Sequence, residues 1–225
     1  PLPDTTTPPL VSLRMVPLAL LCGHLATLCF TLQYFPQTWH NFKRKSLAGF
    51  STVGIVMKLV GADFLFINSL FRGEPLPVVL YGFFNVVQHS LFMIQFTLYS
   101  HNFVYLLFLL LPSIPGALGL FWPGSLQFTD YIKPTMQIAS HLPQIYLIWR
   151  VRSTAGMSLL TQHLNAAGGI LGLIMCFGMG NMRVSTILLY VNSLLQAISI
   201  YVLRFAYGAP PVLGVKSRHL NRADV

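Results

Sequence analysis

The chain has 225 residues, 54% of them hydrophobic and only 8% charged, with a mean hydropathy of +0.65. Soluble domains carry about 25% charged residues, so this composition excludes a water-soluble globular fold and makes lipid the solvent for much of the surface. The net charge of +9 is not a nucleic-acid footprint, because the basic residues stand at the ends of apolar runs, where they act as topology signals.

A Pro/Thr-rich stretch, 1–12, reads as a disordered lead-in; it lacks the basic start and early apolar core of a signal peptide. A helix needs about 20 apolar residues to cross the hydrocarbon, and seven candidates follow. The first runs from Met15 to Phe35 and stops at Pro36. The second lies between Ser51 and Leu70, and Arg72-Gly73-Glu74-Pro75 breaks it from the third, Leu76–Tyr99. The fourth, Phe103–Trp122, ends in Trp122-Pro123-Gly124, turn chemistry beside an interfacial aromatic. The fifth runs from Thr129 to Trp149 and carries Asp130, Lys133 and two prolines; the sixth is Met157–Met179 and the seventh Val184–Tyr207. The expected organisation is a three-helix unit over 13–99, a linker helix over 100–125, a second three-helix unit over 126–207 and a basic tail over 208–225.

Loop charges give an orientation. The amino end and every second loop hold Arg14, Arg72, Lys133 and Arg183. The other side holds nine basic residues: Lys43, Arg44 and Lys45, then Arg150 and Arg152, then Arg204, Lys216, Arg218 and Arg222. By the positive-inside rule the 1–2 and 5–6 loops and the carboxyl tail are expected in the cytosol and the amino end in the lumen.

A repeat is the most informative feature. Residues 35–51 read FPQTWHNFKRKSLAGFS and residues 142–158 read LPQIYLIWRVRSTAGMS, at an ungapped offset of 107. Pro36/Pro143, Gln37/Gln144, Ser46/Ser153, Ala48/Ala155, Gly49/Gly156 and Ser51/Ser158 are identical, and the same offset pairs Gly61 with Gly168 and Asn85 with Asn192. Chance does not hold register that long. The chain thus contains two three-helix units, and an odd connector makes them parallel, related by an axis along the membrane normal. Each proline removes a backbone hydrogen bond and lets its helix bend, while Ser51 and Ser158 are placed to cap the next helix.

Two Pro-Gln dipeptides, each at the end of a span and each followed by a basic-Ser-x-x-Gly-x-Ser segment, resemble the PQ-loop repeat family over roughly residues 16–207. Its relatives include cystinosin, vacuolar cationic amino-acid transporters, the dolichol-utilisation factor, SWEET sugar transporters and the KDEL receptor. The resemblance implies an all-α membrane protein with no cofactor. It implies alternating access, with Pro36, Gln37, Pro143 and Gln144 as hinge or gate residues. It implies a substrate-facing role for the Asn85/Asn192 pair. In cystinosin-like relatives a sixth-span acid before Gly-Gly couples protons; here that position is Asn165, ahead of Gly168-Gly169. Gly61-Ala62-Asp63, followed by Asn68, is similar to the Gly-Asp-x-x-Asn pattern of amino-acid members.

Read from the residues themselves, Asp63 near the centre of the second span is expensive and therefore expected to pair or to work. It is a proton acceptor, a partner for a substrate ammonium, or an ion pair. Lys58, five residues away, is off the helical neighbour positions and is expected to snorkel to the interface. Asn85, Gln88 and His89, with Asn192 and Gln196, either line a polar cavity or serve as interhelical glue. Gln137 and His141, with Gln33, would complete that cavity, and Gly168, Gly169 and Gly172 would permit close helix contact. Cys22, Cys29 and Cys176 show no metal spacing, and neither a phosphate loop nor a hydrolase constellation is present. The function expected is a secondary transporter, not an enzyme, moving a small polar solute across a lysosomal, vacuolar or other intracellular membrane. An amino acid is the leading solute, with protons coupled through Asp63 and His141. The competing expectations are a SWEET-like sugar uniporter and a non-transporting lipid-handling or sorting factor.

Overall fold

The computed structural model describes residues 10–45, 52–152 and 159–207, and these are helical nearly throughout. In lipid every backbone polar group must be satisfied within its own segment, which selects helices. Helix α1, Leu10–Leu32, starts ahead of the expected Met15. It ends because Pro36 has no N–H to offer the Leu32 carbonyl. The chain turns at Gln33 and Tyr34 and re-enters helix as α2, Phe35–Arg44, with Pro36 in its first turn. The sequence pattern predicts a loop there, between the first and second spans. Phe35, Trp39 and Phe42 are exposed on α2 while Asn41 is buried, and the Lys43 ammonium lies 5.3 Å over the Trp39 ring. That is the pattern of an amphipathic helix at a membrane interface.

Helices α3 (Thr52–Phe71) and α4 (Leu76–Ser100) complete the first unit. The fourth span is a 3₁₀ segment, Phe103–Leu110, followed by α5, Ser113–Phe121, and it is mostly lipid-exposed. A turn over Pro123–Ser125 and the short α6, Leu126–Thr129, lead into α7 (Ile132–Val151), α8 (Leu159–Met179) and α9 (Val184–Tyr207). Among the described residues, five of the spans are long and apolar enough to cross a bilayer on composition alone; α1 and α7 are the two expected spans outside that group. In α7 the reason is its polar content, which faces other helices rather than lipid: Lys133, Gln137 and Ser140 are all buried. Lys133 is therefore not a loop charge, and the count on its side of the membrane falls by one. Ser51 and Ser158, the N-terminal residues 1–9 and the tail 208–225 lie outside the described residues, as do the side chains of Gln37, Pro143 and Gln144.

The 107-residue repeat is written in the backbone. Lys45 and Arg152 both end helices in the left-handed region, at φ 48° and 54°, and Gly73 and Gly180 take φ 62° and 75°. Gly73 closes a Schellman motif, its N–H donating to the Leu70 carbonyl at 3.2 Å while Glu74 N–H reaches Ser69 O at 3.0 Å. The units differ in one respect: α7 stays helical through Pro143, whereas the first unit breaks at Gln33–Tyr34.

Packing follows the same symmetry. Helix α4 lies beside both α1 and α3, and α9 beside both α7 and α8, so the third helix of each unit sits between the other two. Between the units, α1 packs on α8 and α3 on α7, which are the two contacts that an axis relating the repeats interchanges. Small residues permit the approach. A Cβ on Gly168 would lie 2.8 Å from the Phe30 ring across the seam, and within the second unit one on Gly172 would run into the Tyr190 ring. Phe30, Tyr81 and Tyr190 form the aromatic centre, with centroids 4.6 Å apart for the first two and 6.1 and 6.3 Å to Tyr190.

Candidate functional site: a polar cavity between the repeats

The two units share a small polar cavity, lined from both sides. From the first unit come Gln33 and Tyr34 at the helix break, Lys58 on α3, and Tyr81 and Asn85 on α4. From the second come Lys133, Gln137 and His141 on α7, Asn165 on α8 and Gln196 on α9. The helix break matters here, because it turns Gln33 and Tyr34 into the cavity wall. Asn85 donates to the Tyr81 carbonyl at 2.8 Å, within its own helix, and is buried. Asn165 donates to Ser193 O and to Gln196 Oε1, both at 3.0 Å. Gln137 Nε2 donates to Ser193 Oγ at 2.8 Å, leaving its own carbonyl oxygen unpaired, and His141 is hydrogen-bonded to Gln196. A ring of amides with spare acceptors and donors is what a polar solute needs in place of water.

Of the expected site residues, Asn85, Gln137, His141 and Asn165 meet in this cavity, with Gln33. Three others stand elsewhere. Asn192 is half-buried and donates to the Pro134 carbonyl at 3.1 Å. Gln88 donates to the Thr31 carbonyl, in the last turn of α1 before the break. Its amide completes a freed backbone acceptor, so its role is at the bend. Asp63 is fully buried on α3, with neither carboxylate oxygen hydrogen-bonded, and Lys133 is the cation that acts on it. Among the histidines, His89 is buried with Nδ1 2.7 Å from the Asn85 carbonyl, His24 is exposed on α1, and His163 pairs with Tyr201.

Sequence reasoning missed both lysines of the cavity. Lys58 does not snorkel outward; its ammonium lies 5.5 Å over the Tyr34 ring and it lines the cavity. Lys133 Nζ lies 5.7 Å over Tyr81. The offset of 107 held the signal, since it pairs Lys58 with Asn165 and Tyr34 with His141.

A second, small cavity opens toward the loops at residues 72–75, 129–131 and 180–183, and Lys133 lines both. Four charges cross-link its mouth. Arg72 Nε lies 2.9 Å from Asp130 Oδ2, Arg183 Nε lies 2.9 Å from Glu74 Oε1, and Arg183 reaches Asp130 at 3.9 Å. Asn68 adds hydrogen bonds of 3.0 Å to Asp130 and 2.9 Å to Thr129. Every one of these contacts except the Arg183–Asp130 one joins the first unit to the second. Burial pushes the Glu74 carboxyl above the usual glutamate range, and the attraction of Arg183 only partly offsets this.

The geometry agrees with comparisons to known proteins. The cystinosin homolog of Dictyostelium discoideum is 22% identical over 191 residues, covering 71% of this chain and 67% of that protein. Cystinosin of Drosophila melanogaster is 22% identical over 189 residues, covering 69% of this chain; the chain spans 47% of its length. A solved eukaryotic SWEET transporter superposes with a TM-score of 0.68 at 15% identity, over 88% of this chain and 99% of that one. At that identity the likeness concerns the fold. The PQ loop repeat matches at residues 18–78 and again at 126–182, more than half of the sequence. The chain is therefore a multi-pass membrane protein that belongs to the PQ-loop repeat family.

Proposed function

We propose that this protein is an alternating-access secondary transporter of a small polar solute, an amino acid first among them, with protons as the coupled ion. The carrying observation is the cavity between the two repeats, walled by amides from both and sealed at one end by ion pairs that also join them. A site shared between two bundles changes its access when the bundles rock, without either bundle being remade. The break beside Pro36 supplies a bend at the other end, where the remaining Pro-Gln pair also lies. Asp63 is the proposed proton carrier, since a buried carboxylate without a hydrogen-bond donor is costly when charged. The basic loops favour a cytosolic Pro-Gln end and a lumenal Arg72 end, and the cystinosin relatives support a lysosomal or vacuolar-type membrane.

The test is uptake into proteoliposomes of the purified full chain, screening amino acids and sugars with and without a pH gradient. Accumulation driven by the gradient is the expected outcome. Flux of sugars that ignores the gradient would select the uniporter reading, and absence of any flux would remove transport.

A further inference from the structure

The polar lining of the central cavity contains two lysines, Lys58 and Lys133, and no carboxylate. We infer that the solute bound there carries a net negative charge, as a carboxylate held between these two ammonium groups. The inference rests on the transport reading above and narrows its substrate class.

Three observations carry it. First, the lysines enter from different units, Lys58 from α3 and Lys133 from α7, so an anion between them would bridge the parts that must move. Second, neither has a carboxylate within 4.0 Å among the described residues; each rests instead on a tyrosine ring, Tyr34 or Tyr81, a weaker partner. Among the described residues the acid acting on Lys133 is Asp63, which lies outside the lining. Third, Lys133 lines both cavities, so an anion entering from the Arg72 end meets its charge before reaching the amides. A cleft lined by one sign of charge raises the local concentration of anions and repels cations. The same cleft disfavours a solute whose only charge is an ammonium. Neutral Gln137, Asn165 and Gln196 then read the rest of the molecule by hydrogen bonding.

The experiment measures binding and flux separately. Purified full chain is titrated with radiolabelled succinate, L-glutamate, L-serine and L-lysine, and the same four are offered to proteoliposomes. Succinate and glutamate are expected to bind and to be taken up, with L-lysine excluded. Lys58→Asn, which installs the residue of the repeat-related position, and Lys133→Met should each weaken succinate binding roughly tenfold or more, as loss of a desolvated charge partner does. Lys58→Arg should retain it. Thermal melts and gel filtration of each variant establish that it is folded. Uptake of L-serine or L-lysine that succinate does not compete, or that Lys58→Asn leaves unchanged, overturns the anion site while transport stands. Succinate binding without flux of any solute overturns transport while the anion site stands.

Discussion

Asp63 and Gly168 place different demands on single side chains. Both Asp63 oxygens are buried without a hydrogen-bond donor, and Lys133 is a cation that acts on it. A group so placed can gain and lose a proton without rearranging a hydrogen-bond network. Asp63→Asn keeps the volume and removes the titration, so gradient-driven uptake should vanish while solute exchange at equal pH continues. Uptake that still follows the gradient would take Asp63 out of the coupling. Gly168 is structural. A methyl there would press into the Phe30 ring on the facing helix, and overpacking of this kind costs about 1–3 kcal/mol. Gly168→Ala should lower the melting temperature of the purified protein, with Gly116→Ala, where a Cβ meets nothing within 4 Å, as the unaffected control.

At the scale of the element, the break between α1 and α2 is the feature that a hydrophobicity reading could not resolve. Pro36 announced a bend, and the spans themselves were legible because lipid forces long apolar runs into helix. The amphipathic stripe of Phe35, Trp39 and Phe42 was also available, at helical spacing, yet its polar neighbours made the segment read as loop. Asn85 was legible because its amide recurs by the repeat at Asn192, although Asn192 itself stands outside the cavity, and Asn165 was legible from its place ahead of Gly168-Gly169. Cavity residues were lost where a charged side chain defied the expectation that it seeks water, as at Lys58. The Arg72–Asp130–Arg183–Glu74 cluster was invisible because it joins residues from three separate loops. Gln88 tests the meaning of the break. It caps the Thr31 carbonyl without touching the cavity. An interhelical hydrogen bond in a membrane averages about 0.6 kcal/mol, so Gln88→Leu should change turnover by roughly threefold and leave the solute Kd where it was. A Kd that moves with Gln88 would place this side chain in the binding site instead.

Across the whole molecule, two three-helix units meet through α1 on α8 and α3 on α7, and the ion-pair cluster locks one end of that seam. Breaking an ion pair costs between about 0–1 kcal/mol when exposed and about 3–5 kcal/mol when buried; Arg72 and Asp130, at 18% and 10% exposure, lie between these limits. Asp130→Asn should therefore open the Arg72 end. A cysteine at Ser185, which lines the outer cavity, reports it in a background where Cys22, Cys29 and Cys176 are alanine. Thiol labelling there should rise roughly tenfold, and the exchanged pair Arg72→Asp with Asp130→Arg should restore protection. Glu74 gives the same end a pH dependence whose sign is fixed by its environment. In the closed arrangement its carboxyl sits above the usual glutamate range because burial outweighs the pull of Arg183, with Asp130 adding to the rise and Arg72 opposing it. An open end would solvate Glu74 and return it to the ordinary range. Between those two values the closed form binds the extra proton, so acid favours closure and the advantage is lost as pH rises through the higher one. Labelling at position 185 should accordingly increase with pH across that window, and Glu74→Gln, which holds the neutral form, should flatten the profile. A slope of the opposite sign would mean that the Arg183–Glu74 pair stabilises closure mainly through charge, and that removing Arg183 opens this end more than any change at Glu74.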